Sequence, residues 1–505
     1  GAPSLVQSVA SVVIDLAPTG VVRAAIATLG TQDKPALVTG VVVLSLLFGA
    51  LLALAARRRR WVAVLGLVAF GLLGAWAGAR PPGTALWRPA VAALAGVLAG
   101  VAALTALAWR SAGRAPELTR LPGAPTAGAA TGGGVAGMAA GGEASGVRPA
   151  LETASRRSFL AGAGSLLVVG AAAATGGRLL QARELAAARR SVTLPGLGET
   201  SGASAGPAGV LDVPGLSPFI TPNKDFYRVD TEIFPIQVDP RGWQLKVGGM
   251  VDHPFQLSYE QLLALPMEEH DITLVCVSNE IGDRLSGNAR WRGVRLDELL
   301  RRAGPRPGAS QLVGVSVDGF TTGMPAAMAL DGRNALVAVA MNGEPLPAGH
   351  GFPARLVVPG VYGYASACKW LQEIRLDPLG FQPYWMERGW ATGGEMKTMA
   401  RIDTPVVGRR LRAGKLPVAG VAWSHHVGIS KVEVQIDGGP WMPARLGGGD
   451  LDTWRQWVVE WDAPTGMHTI RARATDGRGR LQIITPAESF PSGATGLHTV
   501  RVLVT

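Results

Sequence analysis

The chain has 505 residues, 48 basic and 37 acidic side chains and a formal net charge of +11. Hydrophobic residues make up 48% and charged residues 17%, which excludes a disordered chain and argues against one ordinary soluble domain. Residues 1–190 carry 18 basic and 6 acidic side chains, residues 191–505 carry 30 and 31, so the larger part has no basic excess with which to hold a nucleic acid.

The first predicted elements are apolar. Residues 36–56, 61–79 and 90–109 are uncharged runs, each long enough to cross a ~30 Å hydrocarbon layer as a helix. Residues 158–177, richer in Gly and Ala, make a fourth candidate. Arg57–Arg60 separate the first two runs, and six further arginines lie between the third and fourth. The positive-inside rule then places both basic loops in the cytoplasm, and residues 1–35 and 178–505 outside it. Residue 1 is Gly, so a trimmed N-terminus and a lost earlier span are expected. Residues 110–157 read as a flexible cytoplasmic loop. It ends in Ser155-Arg156-Arg157-Ser158-Phe159-Leu160, which reads either as a twin-arginine export signal or as an arginine pair obeying charge bias. Residues 178–215 read as a linker.

Residues 216–400 read as an α+β domain. Alternation predicts a strand at Gly242–Gly248. Ser258 with Gln261 three residues later predicts a capped helix over Ser258–Leu265. Strands are expected at Asp271–Ser278, Gln311–Val317, Ala354–Val358 and Leu371–Leu376, and a helix at Val294–Arg302. Residues 401–505 show five strand-like runs separated by turn signals, which predicts an all-β immunoglobulin-like sandwich. Trp441, Trp454, Trp457 and Trp461 are expected in its core or at an interface.

Two cysteines cannot staple a disulfide scaffold, and no CxxC or CxxCH motif is present. All seven histidines lie beyond residue 250, so the apolar runs contain none with which to ligate haem. Cys276 ends an apolar strand. The residues alone leave three readings open: a presented thiolate, an inert core thiol, or a partner for Cys368. His350, Arg355, Ser366 and Lys369 flank a glycine-rich strand. They suit an anionic ligand, or a basic rim on a turn-rich surface. Asn223, Phe226, Tyr227 and Arg228 suit a stacked polar ring, or a domain-entry turn.

Together these segments resemble the sulfite oxidase family of molybdopterin enzymes. The resemblance is carried by Pro222-Asn-Lys-Asp-Phe-Tyr-Arg228, Thr273-Leu-Val-Cys276, Gly287-Asn-Ala-Arg-Trp-Arg-Gly-Val294 and Met341-Asn-Gly-Glu-Pro-Leu-Pro347. His350-Gly-Phe-Pro-Ala-Arg-Leu-Val-Val-Pro-Gly360 and Cys368-Lys-Trp-Leu371 complete it. With the apolar runs it looks like a membrane-anchored bacterial branch. The resemblance implies a molybdenum–molybdopterin cofactor with Cys276 as metal ligand. It implies pterin contacts from Asn223, Phe226 and Tyr227, and phosphate contacts from His350, Arg355, Ser366 and Lys369. Asp318 and Thr322 are further cofactor candidates, and Cys368 is read as free. Arg228 stands where sulfite-oxidising members bind the oxyanion, and Trp390 stands nearest the family's active-site tyrosine, with Tyr384 as a substitute. The loop after Cys276 reads Val-Ser-Asn-Glu-Ile-Gly-Asp-Arg284 where sulfite oxidases usually have Ala-Gly-Asn-Arg. The periplasmic methionine-sulfoxide reductase branch shares the entry motif but has Asn at the place of His350. The implied reaction is oxygen-atom transfer at a small sulfur substrate, by sulfite oxidation or sulfoxide reduction. A separate cytochrome, quinone-linked or copper protein would carry electrons, and a homodimer is expected from the C-terminal domain. The alternative of another class is a cofactor-free binding or scaffold protein that keeps the fold.

Overall fold

The structure is a computed structural model and describes residues 9, 12–13, 33–56, 59–79, 87–112, 183–194, 196, 209–232 and 235–505. The chain divides into a helical N-terminal unit and a unit running from Ala182 to Thr505.

Three helices make most of the described part of the first unit: α1 (Asp33–Ala56), α2 (Arg60–Ala79) and α3 (Trp87–Ala112). They cover the first three predicted runs. Trp61–Ala79 is a stretch long and apolar enough to cross a membrane, while the apolar stretches within α1 and α3, Thr39–Leu52 and Pro89–Ala102, are shorter. Small residues lie at the helix contacts. Ala63, Ala77 and Ala93 are buried, and a Cβ on Gly66 or Gly71 would collide with Leu52 or Val97. Leu44, Leu54, Leu72 and Leu98 are more than half exposed. Val41 and Leu52 are buried with the alanines, while many large apolar side chains face outward, more than a water-soluble bundle of this size would leave exposed. The predicted fourth run at 158–177 and Ser155–Leu160 lie outside the described residues.

The second unit opens with α4 (residues 183–190), tied by the Arg189 guanidinium to the Pro345 carbonyl at 2.9 Å. Strands β1 (Gln244–Gly249), β2 (Phe255–Ser258), β5 (Gln311–Ser316), β6 (Thr321–Pro325) and β10 (Leu371–Asp377) form one sheet in the order β2-β1-β10-β5-β6. Only the β1–β10 pair in it is parallel. A second sheet runs β3 (Glu268–Val275), β4 (Ser286–Arg295), β7 (Leu336–Met341), β8 (Glu344–Pro345), and β9 (Arg355–Val357) pairs with β7. Short helices α5 (Tyr259–Leu263), α6 (Leu296–Ala303) and α7 (Gly363–Ser366) complete this part. The capping box at α5 forms as the sequence predicts, with Ser258 and Gln261 satisfying each other's backbone N–H groups. Helix α6 starts two residues later than expected because β4 holds its pairing through Arg295.

After residue 398 the chain is mostly β. Strands β11 (Met399–Thr404), β13 (Gly414–Trp423), β17 (Arg455–Ala463) and β16 (Arg445–Leu446) form a four-stranded sheet in that order. Strands β12 (Arg410–Leu411), β19 (His498–Val504), β18 (Gly466–Asp476), β14 (Ile429–Ile436) and β15 (Met442–Pro443) form a five-stranded one. Ile402, Val418 and Trp457 from the first pack with Val432, Ile470 and Val502 from the second in one core. Trp454 does not join them. Its indole belongs to the α+β core and donates to the Phe219 carbonyl at 3.0 Å.

Candidate active site

One open cleft in the α+β part gathers eight of the twelve residues selected from the sequence: Phe226, Tyr227, Cys276, Asp318, His350, Arg355, Lys369 and Trp390. It encloses about 900 Å³ when the solvent in its open mouth is counted. Cys276 follows directly on β3, whose residues from Asp271 to Val275 are all buried. The end of such a strand is where side chains leave the core for a loop. The turn is closed by the Cys276 N–H to the Leu285 carbonyl at 2.9 Å and by the Asn279 N–H to the Cys276 carbonyl at 3.0 Å. Both cysteines are free. Burial raises the Cys276 thiol pKa, opposed by Ser278, whose hydroxyl lies 3.3 Å from Sγ.

The aromatic wall is set by the entry segment. Phe226 stacks on Tyr227 at 5.3 Å and meets Trp291 and His350 edge-on at 5.7 and 5.6 Å. Gly287 lets that ring approach, since a Cβ there would stand 2.7 Å from Phe226. Burial, and then the neighbouring Cys276, push the Tyr227 hydroxyl up, so it stays protonated and able to donate.

Arg355 supplies the strongest electrostatic feature. Its side chain is buried, its guanidinium lies over the Trp291 ring at 5.0 Å, and it donates to the His350 and Leu356 carbonyls at 3.2 and 3.4 Å. Among the described residues no carboxylate lies within 4.0 Å of it. Burial pulls its pKa down to about 10, so it remains a cation at neutral pH. A buried cation without a counter-charge costs several kcal/mol, roughly 3–5 by analogy with broken buried pairs. An anionic ligand in the cleft would offset that cost. His350 is held neutral, its pKa pushed down to about 4 by burial and by the adjacent Arg355. Its Nε2 lies 3.1 Å from the Asn223 carbonyl, which assigns the ring proton to that nitrogen. Lys369 donates to the Val229 carbonyl at 3.1 Å and pairs with Asp230. Gly351, at φ +105°, lets the segment around Lys369 approach, since a Cβ there would press on Lys369 itself. Asp318 accepts from the Phe320 N–H at 3.1 Å, and burial raises its carboxyl pKa.

Four selected residues stand off the cleft. Asn223 knits the entry segment to the β7–β8 turn through Glu344 at 2.6 Å, Asn342 at 2.8 Å and the Met341 carbonyl at 3.3 Å. Arg228 is half exposed and pairs with Asp230 at 3.2 Å. Thr322 is fully buried on β6. Ser366 donates to the Val361 and Tyr362 carbonyls at 3.2 Å, both just before its own short helix. Tyr384, the substitute for Trp390, also lies off the cleft, under the Arg388 guanidinium at 3.6 Å. Trp390 does line it, 5.9 Å from Tyr364 and edge-on to Phe490 of the C-terminal region at 5.3 Å. Tyr364, Trp385 and Asp230 line the cleft without having been selected. Asp230, two residues beyond Arg228, could have been found only by asking what an arginine in an extended segment pairs with.

The residues fit a molybdopterin cofactor: a soft thiolate for the metal, an uncompensated buried cation for a phosphate, and aromatic walls for a flat ring. No group of three His, Cys, Asp or Glu side chains among the described residues could hold a metal ion, so Cys276 would be the chain's own donor beside those the cofactor brings.

Comparison with known proteins agrees with this chemistry. The family profile "Oxidoreductase molybdopterin binding domain" matches residues 232–385. The chain is 34% identical over 180 residues to the "Uncharacterized oxidoreductase YuiH" of Bacillus subtilis, covering 35% of this chain and 88% of that protein. It is 29% identical over 300 residues to the mitochondrial sulfite oxidase of Macaca fascicularis, covering 50% of this chain and 55% of the other. The chain thus spans about half the length of the curated sulfite oxidases it matches. The solved structure of the sulfane dehydrogenase SoxCD from Paracoccus pantotrophus shares the fold, with a TM-score of 0.50 and 22% identity over 62% of this chain and 95% of that one.

Proposed function

The chain belongs to the sulfite oxidase family of molybdopterin-dependent oxidoreductases, and from that premise we propose that it moves an oxygen atom to or from a small sulfur compound while held to a membrane. The carrying observation is that Cys276 and the uncompensated cation Arg355 face one cleft. When bound, the molybdenum–molybdopterin group supplies the two-electron, oxygen-transferring chemistry. The chain's residues orient and exclude. Cys276 would give up its proton to ligate the metal. Arg355 and Lys369 would hold the phosphate end. Tyr227 donates from its buried hydroxyl. Trp390, Trp385 and Tyr364 wall the cleft and limit entry of water.

The leucine-faced helices α1 to α3 support a bilayer anchor. The arginines Arg57–Arg60, together with a fourth span at residues 158–177, favour an orientation that puts residues 178–505 outside the cytoplasm. The C-terminal β region reads as an immunoglobulin-like sandwich able to pair with a second copy. Electrons would pass to or from a separate cytochrome, quinone-linked or copper protein. A dye-linked assay run in both directions tests the reading. Turnover of sulfite or of a sulfoxide supports it, and turnover of neither by molybdenum-loaded protein contradicts it.

A further inference from the structure

We propose that Asp230 sets the charge of the substrate: it withdraws Arg228 and closes the cleft to sulfite-like dianions in favour of uncharged sulfur oxides. The inference rests on the molybdenum site proposed above and concerns what that site admits. Arg228 follows the aromatic pair Phe226–Tyr227, but its Nε is held by the Asp230 carboxylate at 3.2 Å and half of its side chain lies in solvent. Its stem packs on the backbone at Gly349, where a Cβ would stand 3.3 Å from it. Asp230 itself lines the cleft, and its side chain is 4% exposed. It also pairs with Lys369.

The charges along the cleft then leave no cation for a substrate anion. The cations that line it are Arg355 and Lys369. The first is buried beneath the aromatic wall, both are assigned to the cofactor's phosphate end, and the second is in addition paired with Asp230. Asp230 and Asp318 put two carboxyl groups on the same surface. A dianion entering here must give up water in a partly desolvated site without gaining a cation of its own, since Asp230 engages Arg228 and Lys369 and the cofactor's phosphate takes Arg355. The remaining wall of Phe320, Tyr364, Trp385 and Trp390 suits an apolar group beside an uncharged polar oxygen.

The test is sulfate, a redox-inert dianion, titrated by calorimetry at fixed ionic strength into the loaded full-length protein, with molybdenum measured on the same samples. Wild type should show no saturable binding below ~10 mM, and Arg228→Ala should leave that unchanged. Asp230→Asn should gain affinity by about 10–100-fold, the worth of one or two charge-assisted hydrogen bonds. Adding Arg228→Ala to Asp230→Asn should remove most of the gain. Tight sulfate binding by wild type that Arg228→Ala abolishes overturns the proposal, and so does an Asp230→Asn protein of native melting temperature with no gain. Should Asp230→Asn fail to fold, wild type against Arg228→Ala still decides. Absence of molybdenum would refute the functional reading instead, while the titration would still report the charge of the cleft.

Discussion

The backbone N–H of Trp454 donates to Thr273 Oγ1 at 2.7 Å, which ties the C-terminal β region to the strand that presents Cys276 three residues later. The Thr273 hydroxyl donates in turn to Asn288 at 3.0 Å, and the Asn288 amide donates to the Phe219 carbonyl at 3.0 Å. All three side chains and the Trp454 indole are buried. The position of the thiolate therefore depends on the packing of the two parts together, because buried polar groups that lose a partner keep their full desolvation cost.

Thr273→Val keeps the shape and removes the hydroxyl. It leaves the Trp454 N–H and the Asn288 carbonyl oxygen without that partner. Stability should fall by about 2–4 kcal/mol, one to two unmade buried hydrogen bonds. Denaturant unfolding of wild type and variant measures it.

Arg355→Met should act with opposite signs on two readouts. In cofactor-free protein it removes a buried cation that no carboxylate compensates, and stability should rise by about 1–3 kcal/mol. In a host that makes the cofactor, the same variant should load little or no molybdenum. Thermal melts of the first preparation and metal analysis of the second check both arms.

Acid should destabilise the fold through two histidines held neutral. Burial, followed by a nearby arginine in each case, pushes His350 and His498 down to about 4. Between pH 6.5 and 4 the unfolded chain binds protons that the folded chain refuses. Stability is therefore full above 6.5, falls as pH drops to about 4, and loses nothing further from these groups below that. Each histidine contributes up to roughly 3 kcal/mol to this loss. His498 accepts from the Ile402 N–H at 2.9 Å, away from the cleft, so His498→Gln should reduce the acid slope while leaving cofactor loading intact. Stability measured against pH gives the slope.

If α1 to α3 lie in a bilayer, alkaline carbonate washing should leave the full chain in the membrane pellet. Gly71→Leu should weaken the contact of α2 with α3, since its side chain would collide with Val97. Release of the chain by carbonate would contradict the anchor.

Much of this architecture could be read from the residues. The capped helix α5 was predictable because both halves of its cap are local. The β1, β5 and β10 strands were legible from alternation or composition bounded by turns. Strand β7 was not: all six of its residues, Leu336–Met341, are buried, and an unbroken apolar run carries no period. In the site, Cys276 stood out because it ends an apolar strand before polar residues. The diversion of Arg228 could not be read, since it depends on a carboxylate that also meets Lys369, 139 residues further on. Trp390 was placed in the cleft by motif alone, whereas its contact with Phe490 comes from the C-terminal region.

The central claim is a molybdenum site ligated by Cys276. Its most direct test is elemental analysis of molybdenum in full-length wild type and Cys276→Ser, both purified from a host that makes the cofactor. The account predicts about one molybdenum per chain in wild type, as a single-thiolate site requires, and turnover lost in the folded variant. A folded wild-type protein without molybdenum, from a host shown to load a control enzyme, would contradict it.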